Sequence, residues 1–427
     1  MVELDVLIVG GGIQGLVLLD QLTRDGYATA LVTNSDLGTG QSLHSHGLLN
    51  SGTGLLTGQL QQPLGLALAF ARERGLPLYG DDRWYALLPP PAFEHLRPLW
   101  DAASYEYIEV PASTLPEGFV LGGGVRVFAL KGYNFPKRQL IRLLAEDHTD
   151  RVIRGDTAAT HRSTREQLVR LDAVDVVVRA TGETVRLKPQ VVIVAAGTGS
   201  KRLVRSIVGA PTEPTERITF TRSHMLCVRA PRDVLPDVSV ISAQHRLMSV
   251  AHVNASHDRV AGGAEDTATW YVTPEEPEAT HHENASDDAH ASVDPRVVAR
   301  ALDALLQLYP PLRAAAEDST AQIRFAVYAG YKQNVGDQSI VPLCEVVQGT
   351  HNVLVVAPSV IANCWSNAQR AQELIRSRVC PSGPIDAVPA GGHGVRIGNV
   401  NELTDAVQWL DWQAMLVAIG QAPSPSS

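Results

Sequence analysis

Near its start the chain runs four apolar residues, Val6-Leu7-Ile8-Val9, straight into Gly10-Gly11-Gly12-Ile13-Gln14-Gly15, a G-x-G-x-x-G made by Gly10, Gly12 and Gly15. Leu16, Leu19 and Leu22 follow at helical spacing to a stop at Gly26, and Tyr27–Val32 offers a second strand. Strand, tight turn, helix and strand is the order that a dinucleotide asks for. Gly10 permits the turn and Gly12 lets backbone N–H groups close on a pyrophosphate. Gly15 brings helix against strand, and the helix N-terminus that opens at Ile13 and Gln14 favours the anion. Gly-rich turns are common in loops, so the flanking strands and helix are what give the motif weight. These residues alone leave NAD and FAD open.

At 427 residues the chain has room for two cores. It holds 44% hydrophobic residues without an apolar run long enough to span a bilayer, and Glu3 and Asp5 stand where a signal peptide would be basic. A cytoplasmic protein with no membrane role is expected. A formal net charge of −9 argues against nucleic acid as a partner. The cysteines, Cys227, Cys344, Cys364 and Cys380, form no CxxC and are expected to be thiols. Lysine is scarce, at Lys131, Lys137, Lys188, Lys201 and Lys332, so a lysine near a site stands out.

The second strand ends Val32-Thr33-Asn34 without the acidic residue that usually meets a ribose, although Thr33 and Asn34 can hydrogen-bond there. The segment from Gly38 to Gly52, with Gln41, Ser42, His44, His46, Gly47 and Leu48, is too rich in Gly, Ser and His for a core element and suits further cofactor contacts. Residues 125–145 predict a strand and then a helix beginning near Pro136. Two more strands are expected, near Val152-Ile153 and over Val174–Arg179. Gln190–Val194 reads as a buried strand that ends in Ala195-Ala196-Gly197. From Ser223 to Tyr271 strands alternate without crossover helices, which predicts an antiparallel sheet. Residues 273–295 are polar and Pro-containing, a long loop suited to a lid. His281, His282, Glu283, Asp287, Asp288 and His290 in it are better explained as solvated groups than as a metal site, so no metal is expected.

These segments together resemble the FAD-dependent oxidoreductases of the D-amino-acid oxidase superfamily, which includes glycine oxidase and enzymes acting on sarcosine, dimethylglycine and glycerol 3-phosphate. The resemblance covers residues 1–380. It implies that FAD is the cofactor, that Ser42 binds phosphate, and that Thr33 falls where the family has its ribose carboxylate. It implies that Val152 and Ile153 pass near the adenine and Ala195, Ala196 and Gly197 near the FAD. Ser359, Val360, Ile361, Ala362 and Asn363 would close on the flavin pyrimidine end. Ala357, Pro358 and Asn363 replace the family's glycines there, and Asp337–Pro342 resembles its Asp-x-x-Pro turn with residues inserted. In one branch a histidine three residues before Gly-Leu carries the flavin covalently, and His44 has that spacing to Gly47-Leu48.

The implied fold is α/β, a Rossmann-like FAD-binding domain with an interleaved antiparallel-sheet (α+β) substrate domain. Residues 1–85, 125–222 and 323–380 are assigned to the first, 86–124 and 223–322 to the second, and 381–427 to a linker, a helix over about 402–419 and a tail. The implied chemistry is removal of a hydride from a small amine or amino acid, with reoxidation by oxygen or another electron acceptor. Lys332 falls in place of the family's carboxylate-binding arginine, as a point charge rather than a fork. Arg324 can share that role if strand register allows, and His46 and Tyr331 are further candidates at the small-molecule substrate. A lysine at a strand end is as often a surface residue, and strand tyrosines usually pack in cores. The alternatives are oxidation of a hydroxy acid or polyol phosphate, for which no basic cluster is evident, and a degenerate flavin-binding protein without catalysis.

Overall fold

The computed structural model describes residues 1–49, 61–78, 84–102, 104–253, 267–274, 293–318, 321–336, 342–383, 385, 387–388, 391–397 and 409–420. In chain order the strands are β1 (Val2–Val9), β2 (Thr29–Thr33), β3 (Leu48–Leu49), β4 (Trp84–Leu88), β5 (Tyr107–Val110), β6 (Arg126–Leu130), β7 (Tyr133–Asn134), β8 (Val152–Arg165) and β9 (Leu168–Val178). They continue with β10 (Thr184–Val194), β11 (Ile218–Pro231), β12 (Ser239–Ser242), β13 (Leu247–Val253), β14 (Thr267–Pro274), β15 (Arg324–Val335), β16 (Leu343–Val346) and β17 (Val353–Ala357).

A seven-stranded sheet carries the Gly-rich turn. β1 lies between β2 and β10, parallel to both, and β10 pairs in parallel with β17. The antiparallel β8–β9–β10 meander leaves β2 and returns to β10. The central strands read as unbroken apolar runs because both faces are covered. Val6, Ile8, Leu31, Ile193 and Leu354 pack under the helices, among them α1 (Ile13–Arg24), Lys137–Ala145 and Asn363–Arg376. Leu7, Ala30, Val32, Val192 and Val194 face the opposite side, with Val204 and Ile207 of the helix Ser200–Val208.

The second sheet has eight strands in the order β15-β11-β14-β13-β12-β4-β6-β5. Its pairings are antiparallel except β12 with β4. Leu226, Val228, Trp270, Val272 and Phe325 bury one face against Val298, Leu302 and Leu305 of the helix Pro295–Leu308 and against Met415 and Leu416. The other face, with Met225, Cys227, Ala326 and Tyr328, turns toward the first sheet's Gly-rich end. β6 and β15 pair within this sheet, although the expected division put 125–222 and 323–380 with the first. Strand spacing alone does not say which sheet a strand joins.

The chain's last described segments return to both sheets. Leu37 forms a parallel bridge with Ile397, and Leu410 an antiparallel one with Phe325. A helix at Trp412–Ala418 falls within the expected 402–419, of which 402–408 lies outside the described residues. The lid segment 275–292, with its histidines, and most of the turn Asp337–Pro342 also lie outside them.

Candidate functional site

β1 delivers the backbone to Gly10 at φ +129°, where a Cβ would come within 2.2 Å of the Ala195 carbonyl oxygen. A Cβ on Gly15 would lie 1.9 Å from the Gly10 carbonyl oxygen, so helix and strand touch through that missing carbon. Gly12 is the N-cap of α1 and offers no side chain to cap the first-turn N–H groups. One of them, on Ile13, donates to Ser42 Oγ at 3.0 Å. Ser42 belongs to a single helical turn, α2 (Gln41–His44), and closes the cup from the side.

From this cup a cavity of about 1110 Å³ extends between the two sheets, above the roughly 300–1,000 Å³ of ordinary small-molecule sites. Its lining brings together Gly10, Gly12, Ile13, Gln14, Thr33, Asn34, Gln41, Ser42, His44, His46, Leu48, Ala195, Ala196, Gly197, Ser359, Val360, Ile361, Ala362, Tyr331 and Lys332. An uncapped helix start, a glycine cup and a long cavity suit an extended pyrophosphate ligand such as FAD.

Several expected residues lie elsewhere. Gly15 and Gly47 shape the backbone behind the lining. Asn363 is fully buried at the start of its helix. Val152 and Ile153 are fully buried beside β2, and the lining from β8 comes from Gly155–Thr160, where the strand has run past its partner. Arg324 is exposed at the far end of β15 from Lys332, paired with Arg229, and does not line the cavity. The long strand separates the two cations, a spacing that local sequence does not reveal.

Thr33 is taken up in its own turn, donating to the Ser35 carbonyl at 3.0 Å. Two carboxylates among the described residues line the cavity, Asp36, held by Arg154 Nη1 at 2.9 Å, and Asp156, paired with Arg179 at 3.1 Å. His44 is 8% exposed, and its Nδ1 lies 2.8 Å from the Gly40 carbonyl. A carbonyl can only accept, so a proton is assigned to Nδ1. The Tyr328 ring meets His44 edge-on at 5.7 Å, and its hydroxyl donates to the His44 carbonyl at 3.1 Å. Burial pushes the Tyr328 phenol well above its ordinary range, which keeps it a donor.

The second sheet contributes Ser223, Met225, Ile241, Met248, Tyr328, Gly330, Tyr331, Lys332 and Gln333 to the lining. Ser223 stands opposite Gly330 and Met225 opposite Tyr328, so these residues share one face of β11 and β15, while toward its end β15 lines the cavity with the consecutive residues Gly330–Gln333. Gly330 matters here, because a Cβ would reach 3.4 Å from that of His44. Burial pulls the Lys332 ammonium below its usual value. Sequence patterns gave no signal for Met225, Ile241, Met248 or Arg202, whose place in the lining depends on long-range register.

The sequence model of the FAD dependent oxidoreductase family matches residues 5–357. The chain therefore belongs to this family, and FAD is its cofactor. Among curated proteins it is similar to a probable FAD-dependent oxidoreductase of Pseudomonas aeruginosa, 31% identical over 247 residues, a stretch covering 53% of this chain and 58% of that protein. The crystal structure of an FAD dependent oxidoreductase from the same organism superposes with a TM-score of 0.65 at 22% identity, over 95% of this chain and 99% of that one. Glycine oxidase from Geobacillus kaustophilus gives 0.64 at 16% identity, over 91% of this chain and 100% of that one. L-α-glycerophosphate oxidase from Mycoplasma pneumoniae, with FAD bound, gives 0.64 at 14%, over 88% and 95%. At these identities the structural likeness establishes the fold.

Proposed function

We propose that this FAD-dependent oxidoreductase oxidises a carbon–nitrogen bond in a small amine or amino acid, with oxygen or another acceptor taking the electrons afterwards. Bound FAD supplies the two-electron acceptor. The observation that carries the reading is Lys332, the charged residue that the eight-stranded sheet places on the described cavity lining. It binds a substrate carboxylate, while Met225, Ile241, Met248 and Leu48 exclude water from the apolar part of the substrate. His46 and Tyr331 flank that space. Among the described lining residues Arg202 is a second lysine- or arginine-type cation, but it belongs to the helix Ser200–Val208 rather than to the substrate sheet. A polyol phosphate dianion would call for a cluster of cations at the sheet, so the amino acid is the better fit.

Gly10, Gly12, the α1 N-terminus and Ser42 hold the pyrophosphate in this reading. Attachment of the flavin through His44 is a further part of it, checked by acid precipitation: colour left wholly in the supernatant excludes the bond. The test of function is anaerobic addition of an amine and amino acid panel to the yellow protein. Bleaching near 450 nm, the usual flavin band at roughly that wavelength, supports C–N oxidation. Bleaching only by hydroxy acids or glycerol phosphate overturns it.

A further inference from the structure

Lys137 is the first residue of its helix, follows Pro136 as N-cap, and is 5% exposed. Its position is costly twice over. An ammonium buried away from water is disfavoured, and the start of a helix carries partial positive charge. Burial pulls its pKa down to about 8. Its Nζ donates to the Leu43 carbonyl at 2.8 Å and to the Ser45 carbonyl, and it sits 4.9 Å from the centre of the Tyr271 ring. Cys227 also faces it, with its thiol pushed up to about 12 by burial.

The two carbonyls explain the expense. α2 is one turn long and cannot satisfy its own C-terminal carbonyls. Every carbonyl from Gly40 to Ser45 nevertheless has a donor. Gly40 takes His44 Nδ1, Gln41 the Ser45 N–H, and Ser42 the Ser45 hydroxyl. Leu43 and Ser45 take Lys137, and His44 between them takes the Tyr328 hydroxyl. Three consecutive carbonyls are thus gripped by a lysine from the first sheet's helical layer and a tyrosine from the second sheet. The side chains of His44, Ser45 and His46 on that same stretch line the cavity, which Lys137 itself does not.

We infer that Lys137 is a positioning residue for the FAD site: it clamps the carbonyls of Leu43 and Ser45 and so fixes His44 and His46 against the bound cofactor. A plain structural role predicts different behaviour on replacement. Exchange for an apolar residue of similar volume leaves the Leu43 and Ser45 carbonyls without their donor, so a structural role alone predicts earlier unfolding with FAD affinity and spectrum unchanged in the folded protein. The clamp predicts that the same exchange loosens the cofactor site.

The experiment compares wild type, Lys137→Met, Lys137→Arg and Lys137→Gln, measuring thermal unfolding without FAD, the FAD dissociation constant, and the flavin visible spectrum of the loaded protein. Lys137→Met is expected, beyond any loss of thermal stability, to bind FAD at least tenfold more weakly and to show a shifted flavin band. Lys137→Arg, which keeps donors at that position, is expected to recover part of the affinity. A folded Lys137→Met protein with wild-type affinity and spectrum overturns the inference. Should Lys137→Met fail to fold, Lys137→Gln decides, since it takes the ammonium from both carbonyls while keeping a polar side chain at a position outside the cavity lining. Weaker FAD binding with a shifted band then supports the inference, and wild-type binding and spectrum overturn it.

Discussion

Gly12 and Gly15 stand three residues apart in one motif, yet replacing each with alanine should have opposite consequences. At Gly15 the new Cβ would lie 1.9 Å from the Gly10 carbonyl oxygen, a backbone atom that can move only if α1 and β1 separate by more than an ångström. Overpacking of this kind costs about 1–3 kcal/mol, and the rigid neighbour puts Gly15→Ala at or above the top of that range. At Gly12 the backbone has φ −80° and ψ 177°, which any residue adopts, and the nearest atom to a Cβ is Ser42 Oγ at 3.1 Å. The cost to the FAD-free fold should be about 1 kcal/mol or less, the difference between poor and fair N-caps. The methyl would instead stand where the pyrophosphate meets the α1 N-terminus. A hydrogen bond to a charged group is worth about 1.5–3 kcal/mol, so losing one weakens FAD binding by about tenfold to a hundredfold. Urea unfolding of FAD-stripped protein and a flavin-fluorescence titration separate the two effects. Wild-type FAD affinity in Gly12→Ala, or destabilisation equal to that of Gly15→Ala, would refute the assignment of this turn as the pyrophosphate cup.

Lys332→Met should raise KM for a carboxylate substrate by at least tenfold and leave an amine without a carboxylate unaffected. Because burial holds the Lys332 ammonium below its ordinary value, KM for the acid should climb with rising pH before pH 10.5 is reached, as seen in a pH profile. Lys137 titrates near 8 when folded against 10.5 in the unfolded chain, so between those values the unfolded state binds more protons. Stability of wild type relative to Lys137→Met should therefore rise from pH 8 to 10.5, by about 3 kcal/mol in denaturant titrations. Asn367 donates to Gln14 Oε1 at 3.0 Å inside the core beneath α1. Asn367→Ala leaves that buried acceptor without its donor and should lower stability by about 1–3 kcal/mol, read from the urea midpoint.

The first sheet and the glycine turn at its end were legible because they rest on local signals: apolar strands, glycines at fixed spacing and a helical period. The second sheet was legible as a class, from alternating strands after Ser223. The membership of β6 and β15 was not, since pairing between distant strands leaves no mark on either. The same limit explains the site. Lys332 and Arg324 look equivalent on one strand, and only the register with β11 shows one at the cavity and the other outside it. Val152 and Ile153 were expected at the cofactor, whereas the lining begins at Gly155, because β8 is longer than its apolar stretch suggested. Lys137 gave no signal, as its acceptors lie 94 and 92 residues away along the chain.

Gln14, in the first turn of α1, donates to the Cys364 carbonyl across a sequence separation of 350 residues. The wall of the cup is therefore made from the beginning and the end of the folded core, and β1 finds its partner β10 only after some 180 residues of chain, from Val6 to Val191 at closest apolar register. A ribosome releasing this chain exposes the glycine turn long before the strand and helix that complete it. Such non-local pairing folds slowly, and the early β1 and α1 segment must wait with its apolar surface uncovered. The proposed cofactor site is complete only in a chain synthesised past Cys364. FAD then acts by mass action on a finished molecule, drawing the folded state down from its partly assembled competitors. Cellular supply of the flavin should consequently govern how much of this protein survives as well as how much of it is active.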